Sequence, residues 1–456
     1  MRSAGISAVA ATALAAVCGG VAGSAQAAPG PRIDENFLLP PQSAGRGRDV
    51  PSLAVDPADQ NHIVEAEIDP VNFQCDYNVS FDGGRTWTGG HLTAQDRGEN
   101  PPFPTPACSQ NFDSGGYAHS NNASITYGSG QNVYATFSVH RGAFNRPEAN
   151  ADAGAGDDAL VARSTDGGRT FGPAVIAVPG GGAVVGGQEG LAGRGMRPQL
   201  TVQRGAGAGG QDRIYVSSWN CFIRVRASST SRGGCLGGGG DRRILVTRSD
   251  DGGTTWTTPV LASATAVRTG GAIAEAGSPD EQAVEPSSPI VGPDGAIYVA
   301  YRSRDLTDGT TCPINPAITN PAPGGFPASR VGCIIVAKST DLGATWTQRN
   351  TGVSIGGQAQ PRLAIDPASP AGVGSLYVTY FRSVSGDPAD VVLQRSGDGG
   401  LTWSSPVRVN DDAPGKVQSF PQVAVGAGGR VDVTRFDRRH EYPGPGGTRI
   451  GDIYTA

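Results

Sequence analysis

The chain has 456 residues and sets 36 Lys and Arg against 41 Asp and Glu, a formal charge of -5. That balance offers no general attraction to phosphate backbones or anionic lipid, so it speaks against nucleic acid and membrane surfaces as partners. With 69 Gly, 34 Pro and only 17% charged residues, the composition is poor in helix formers and rich in turn formers. The expected class is all-β, with many short strands.

At the N-terminus, Arg2 precedes an apolar run over residues 6–17 and a small-residue site, Ala25-Gln26-Ala27. This is the pattern of a cleaved signal peptide over residues 1–27. Cys18 follows Val17, where a lipid-attachment site would carry Gly, Ala or Ser, so export without a lipid anchor is expected. No later stretch approaches the roughly 18 apolar residues that a membrane span requires. The expectation is a secreted, extracellular, monomeric protein, with residues 28–48 as an N-terminal segment and residues 49–456 as the folded body.

The next signal along the chain is a family of strand openers: Pro51-Ser-Leu-Ala-Val-Asp56, Pro198-Gln-Leu-Thr-Val202, Pro361-Arg-Leu-Ala-Ile-Asp366 and Pro421-Gln-Val-Ala-Val425. Looser versions lie at residues 122–127 and 286–291. After each comes a second β-rich run, as over residues 133–139, 214–218, 297–301, 376–381 and 431–436. A third run, such as 244–249, leads into an eight-residue repeat, Ser-x-Asp-x-Gly-x-Thr-aromatic. The repeat begins at Ser80, Ser164, Ser249, Ser339 and Ser396, spacings of 84, 85, 90 and 57 residues. Five copies of such a pattern mark internal repetition.

Each repeat lies between two strands and has to reverse the chain. Asp82, Asp166, Asp251, Asp341 and Asp398 are placed to accept hydrogen bonds from turn amides, and the glycines supply positive φ. The aromatic residue then opens the next strand. These carboxylates are read as structural, not catalytic. Three strands, the turn and a fourth strand make one four-stranded unit, and six openers imply six units. The sixth stops after residues 449–456, its third strand. Either residues 32–39 supply the missing strand or the sequence is a shortened copy.

The repeats resemble Asp boxes, and the whole pattern is similar to the sialidase-like β-propellers. The resemblance implies a six-bladed propeller with Asp-box hairpin turns on one face. Antiparallel geometry puts the longer insertions, residues 140–157, 219–242, 302–330 and 437–448, on the opposite face, where binding loops gather. It further implies a site with an arginine triad for a substrate carboxylate, a Tyr nucleophile activated by Glu, and an Asp acid–base group, the noted exception to the two-carboxylate glycosidase scheme.

Carried onto this sequence, that site draws on Glu285 as the supporting carboxylate, Tyr442 as nucleophile and Asp49 as the remaining catalytic carboxylate. Arg197, Arg302, Arg304, Arg438 and Arg439 are the substrate-binding arginines. Each of these arginines could instead brace a loop or face solvent, and Asp437 with Arg438 could form a structural ion pair. The family's first arginine belongs to an Arg-Ile-Pro motif, whereas this chain reads Arg48-Asp49-Val50-Pro51. A one-residue offset on a strand turns a side chain to the other face. Two functions therefore stay open: a secreted glycoside hydrolase, of the exo-α-sialidase type under the resemblance, or a non-catalytic propeller that binds glycan, cell-wall polymer or protein.

Six of the seven cysteines lie beyond residue 27, an even number that suits an exported chain. Neighbour pairing joins Cys75 with Cys108, Cys221 with Cys235, and Cys312 with Cys333. None has the Cys-x-x-Cys spacing of a zinc site, so no metal or other cofactor is expected.

Overall fold

The computed structural model describes residues 49–69, 74–92, 110–112, 118–120, 123–140, 157–179, 191–224, 241–263, 287–303, 331–356, 359–368, 372–384, 387–443 and 449–456. Short β-branched and aromatic runs between Gly- and Asp-rich turns pair as antiparallel strands, and no α-helix occurs among the described residues. None of these residues forms a helix long and apolar enough to cross a membrane.

The first sheet contains β1 (Asp49–Asp56), β2 (Asp59–Asp69), β3 (Gln74–Ser80) and β4 (Thr88–His91). A hairpin of β5 (Gln110–Phe112) and β6 (Ala118–Ser120) follows. The second sheet comprises β7 (Ser124–Tyr127), β8 (Val133–His140), β9 (Asp157–Ser164) and β10 (Val175–Val178). The third is β11 (Leu191–Gln203), β12 (Arg213–Arg224), β13 (Asp241–Ser249) and β14 (Val260–Leu261). The fourth is β15 (Ile290–Val291), β16 (Ile297–Ser303), β17 (Val331–Ser339) and β18 (Thr347–Gly356). The fifth is β19 (Arg362–Asp366), β20 (Ser375–Val384), β21 (Asp387–Ser396) and β22 (Val407–Arg408). The sixth has β23 (Gln418–Val425), β24 (Val431–Pro443) and β25 (Arg449–Thr455).

Within every sheet the strands pair in chain order, so each is an antiparallel meander. All six openers fall on or run into a first strand. No fourth strand pairs with β25 among the described residues, and residues 32–39 lie outside them.

Two expected insertions are partly strand. β12 runs on to Arg224 because residues 219–224 pair with residues 191–196 of β11, and β24 continues to Pro443 against β25. The Trp219-Asn-Cys-Phe-Ile-Arg224 run found a partner for its backbone groups and so stayed extended.

Successive sheets pack face to face. Val64, Ala66 and Tyr77 of the first meet Ile125, Val133 and Phe137 of the second. Tyr134 and Val161 then meet Ile214 and Val216 of the third. Trp219 and Ile244 meet Val299 and Tyr301 of the fourth, and Tyr298 and Ile334 meet Leu376 and Tyr380 of the fifth. Strands of the inner sheets are thus apolar on both faces, and β16 is buried at every residue. Each such side chain contributes about 1.5–3 kcal/mol by burial.

The five turn repeats share one hydrogen-bond pattern. In the first, Ser80 Oγ donates to Asp82 Oδ1 at 2.8 Å and accepts from the Gly84 amide at 2.8 Å. Asp82 also accepts from the Thr86 amide at 2.8 Å and the Thr86 hydroxyl at 2.6 Å. The same bonds recur around Asp166, Asp251, Asp341 and Asp398. Four repeats place Gly after the Asp, at φ 73, 75, 67 and 70; the fourth repeat places Leu342 there, at φ 59.

Two outcomes follow from these turns. Leu342→Gly should raise stability by about 0.5–1 kcal/mol in chemical denaturation, since a left-handed Leu costs roughly 1–2 kcal/mol and Gly returns part of that in chain entropy. Hydrogen bonds from Thr86 hold the Asp82 carboxyl at about 2, down from an ordinary 3.8, and those from Thr345 do the same for Asp341. A depressed folded pKa gives stability that is full above the ordinary value and lost as pH falls through the folded one. Tryptophan fluorescence should therefore report a loss of stability between about pH 4 and pH 2 that is smaller in Asp82→Asn.

Candidate functional site

One end of the sheets is given over to structure. There the turn repeats meet the first-to-second-strand turns and clasp neighbouring sheets. His62, buried, sets Nε2 2.7 Å from the Gly167 carbonyl and Nδ1 3.3 Å from Asp56, and it stacks on Phe81 at 4.4 Å. Asp212, also buried, accepts from the Ser129 amide and hydroxyl, the Asn132 amide group, the Tyr134 hydroxyl and the Gly205 amide, tying the second sheet to the third. Burial would raise its pKa, but this set of donors prevails and holds it below the ordinary range.

The opposite end, where second strands finish and third strands begin, is built differently. Aligning the second strands by their pairing compares Ile297-Tyr-Val-Ala-Tyr301, Leu376-Tyr-Val-Thr-Tyr380 and Val431-Asp-Val-Thr-Arg435. Tyr301 and Tyr380 are fully buried core residues, and the sixth sheet puts a guanidinium in their place. Arg435 is 3% exposed and Asp437 0%.

Asp437 holds this charge in the interior. Its Oδ2 accepts from Arg435 Nε at 3.3 Å and from Arg439 Nε and Nη2 at 3.0 and 2.8 Å. Its Oδ1 takes the Arg439 amide at 2.9 Å and Gln418 Nε2 at 3.3 Å. Arg439 Nη1 reaches Asp411 Oδ1 at 2.7 Å. Gln418 continues to Asp412 Oδ2 at 2.7 Å, and Asn410 Nδ2 links Asp412 to Asp390, where Arg408 Nε also binds at 2.7 Å. The chain thereby joins β21, the crossing to β23, and β24. Burial pushes the Asp437 carboxyl up, but hydrogen bonds from Arg439 outweigh it and leave it lowered. The same bond to Asp437 raises the Arg439 guanidinium.

The first sheet departs from the repeat in the same way. Where the second sheet has Ala135 and Phe137, it has Glu65 and Glu67, 2% and 1% exposed. One amide serves both: Asn78 Nδ2 donates to Glu65 Oε2 at 2.8 Å and Glu67 Oε1 at 3.2 Å. Nearby on β3, Asp76 Oδ1 lies 2.6 Å from His91 Nδ1. Among the described residues no group of three or more His, Cys, Asp or Glu is arranged to hold a metal ion.

Of the residues singled out from sequence, Arg302 is the penultimate residue of β16 and is buried, with room made by Gly332 on β17, where a Cβ would stand 3.1 Å from Arg302 Cγ. Arg197 sits at a bulge of β11 with φ 51. Arg438 has its guanidinium carbon 5.9 Å from the centre of the Phe436 ring. Arg439 is turned inward onto Asp437 and Asp411. The ion pairs of Asp437 are made with Arg435 and Arg439 where sequence suggested Arg438, because Arg435 alternates onto the Asp437 face of the strand.

Asp49 opens β1 opposite Ile68, and Tyr442 lies on β24 opposite Ile450; their side chains are outside the described residues. So are Glu285 and Arg304. Cys75 and Cys333 are buried, while positions 108, 235 and 312 and the Cys221 side chain lie outside the described residues. Sequence reading passed over Arg435, Asp411, Gln418, Glu65 and Glu67. The signal was present: an ionisable residue at a repeat position that is aromatic or aliphatic elsewhere.

No family model matches the chain, and no curated protein matches it. Among solved structures it is similar to the alpha-L-arabinanase of Penicillium chrysogenum, at 13% identity and TM-score 0.47, covering 90% of this chain and 93% of that one. It is similar to the GH93 alpha-L-arabinofuranosidase of Fusarium graminearum at 12% identity and TM-score 0.46, over 90% and 92% of the two chains. The intramolecular trans-sialidase of Ruminococcus gnavus gives 13% identity and TM-score 0.45 over 90% and 96%.

Because Asp437 neutralises two arginines in the interior, Asp437→Asn should destabilise the protein by about 3 kcal/mol. Asp411→Asn should cost far less, because the Asp411 side chain is 81% exposed and water screens its ion pair. Urea unfolding of the two variants checks the difference.

Proposed function

We propose that this protein is a secreted, glycan-acting hydrolase whose site lies at the end of the sheets opposite the turn repeats. The observation that carries the reading is the replacement of core aromatics and aliphatics by ionisable residues in two sheets. Arg435, Asp437 and Arg439 stand in the sixth sheet, and Glu65, Glu67 and Asp76 in the first. Buried carboxylates and guanidinium groups lower stability unless fully paired, so their concentration at one end favours a chemical role. Glycoside cleavage needs carboxylates in contrasting environments, and binding of a sugar's hydroxyls needs planar, bidentate polar groups.

The larger architecture belongs to the same proposal. The six sheets are blades of one propeller, and the pairs Cys75 with Cys108, Cys221 with Cys235, and Cys312 with Cys333 staple the far loops. In its narrower form the activity is that of an exo-α-sialidase. Arg197, Arg302, Arg304 and Arg438 then face the substrate carboxylate, Tyr442 attacks the anomeric carbon with Glu285 behind it, and Asp49 serves as the second carboxylate.

One observation favours the non-catalytic alternative. Asp437 and Asp411 already engage Arg439, and Asp437 engages Arg435, so the guanidinium groups best defined in the sixth sheet are paired within the protein.

Fluorogenic α-sialoside and α-L-arabinofuranoside hydrolysis by the purified protein decides between the readings. Turnover of either by the wild type, lowered at least about 30-fold in Arg302→Ala, is the expected result, equivalent to roughly 2 kcal/mol. Absence of sialoside turnover by the wild type would exclude the sialidase form, and sialoside turnover unchanged by Arg302→Ala would remove Arg302 from the site. Binding of glycan without any turnover would establish the non-catalytic one.

A further inference from the structure

Of the described residues other than glycine, four have left-handed backbones: Arg197, Leu342, Gln360 and Phe420. Leu342 occupies a turn position where the other repeats have glycine. The remaining three share a different place. Each immediately precedes a proline of a first-strand motif: Pro198 within β11 of the third sheet, Pro361 just before β19 of the fifth and Pro421 within β23 of the sixth. Register breaks mark the same point between Met196 and Gln199 and between Ser419 and Gln422. All three lie in, or just before, the half of a first strand farther from the turn repeats.

Left-handed φ is costly for a residue with a Cβ, and a bulky side chain there is an outlier. Glycine would remove the cost, and this chain spends glycine freely elsewhere. Instead it places arginine, glutamine and phenylalanine at the three bulges. Phe420 is the least economical choice, because the residue is 54% exposed and buries little apolar surface in return. Two residues before it, the buried Gln418 bonds to Asp412 and Asp437, in an ionic network that reaches the surface at Asp411, whose side chain is 81% exposed. A sugar ring presents the complementary pattern, with a C–H face that packs on an aromatic ring and hydroxyls that meet charged groups at its edge.

We propose that Phe420 is a carbohydrate-stacking residue, held towards the ligand by a strained pre-proline bulge. Arg197 and Gln360 occupy the equivalent bulges of two other sheets, where the same backbone device sets polar groups. The inference rests on the glycan reading above and assigns one aromatic contact to it. Strain persists at such positions when the surrounding fold over-determines them and function uses the orientation obtained.

The test uses the full chain and a panel of immobilised α-sialosides, arabinan oligosaccharides and other defined glycans. Phe420→Gly, Phe420→Trp and the control Leu342→Gly are each measured for melting temperature and for affinity towards whichever glycan the wild type binds. Phe420→Gly should raise the melting temperature by about 2 °C through strain relief while weakening binding at least about tenfold. Phe420→Trp should bind within about threefold of wild type. Leu342→Gly should raise the melting temperature and leave binding unchanged. Binding undiminished in Phe420→Gly, or a lower melting temperature in that variant, would overturn the proposal, the second by showing that the ring serves packing. A wild type that binds no glycan would instead refute the functional reading on which the proposal stands.

Discussion

The rest of the structure depends on one carboxylate repeated five times. In each turn, an aspartate accepts a serine hydroxyl, a threonine hydroxyl and a backbone amide, so the third and fourth strands can leave the turn in only one way. With that reversal fixed, pairing in chain order places every turn repeat at the same end of its sheet. The cross-sheet bonds of His62 and Asp212 then consume that end. The proposed site lies at the other end, where the second strands finish and the third strands begin.

Packing between the sheets imposes the second constraint. An inner sheet is covered on both faces, so β16 and its counterparts need apolar residues at nearly every position. Against this background the first and sixth sheets stand out. Glu65 and Glu67 occupy positions that are aliphatic or aromatic in the second sheet, and Arg435 replaces a tyrosine found in the fourth and fifth. Their polar groups are tied to others: Asn78 spans the two glutamates, and Asp437 holds Arg435 and Arg439. Such departures from a repeat's own rule are where function is usually sought.

The bulges before Pro198, Pro361 and Pro421 add a third departure at the same end. Strain there is concentrated on side chains able to recognise a ligand, whereas the single strained residue at the turn end, Leu342, takes a glycine's place. One backbone feature thus separates into a structural instance and three at the face proposed for binding.

By itself the sequence determined the all-β class, the strand openers and the positions of the five turns, because these are local: hydrogen bonds of the turn span four residues and strand alternation spans two. It also showed Arg302 at the end of a second strand, since that position follows from counting along an apolar run. The ionic network of the sixth sheet was decided only by tertiary structure. Asp390, Asn410, Gln418 and Asp437 lie on separate strands and a crossing, and nothing local in the sequence says that Asn410 will link Asp390 to Asp412 or that Asp437 will choose Arg435 and Arg439 over Arg438. The face of a strand on which a charge lands, and the partners that make its burial tolerable, depend on register between strands distant in sequence. The extended ends of β12 and β24 were invisible for the same reason, because a run of residues becomes strand only when another strand comes to pair with it.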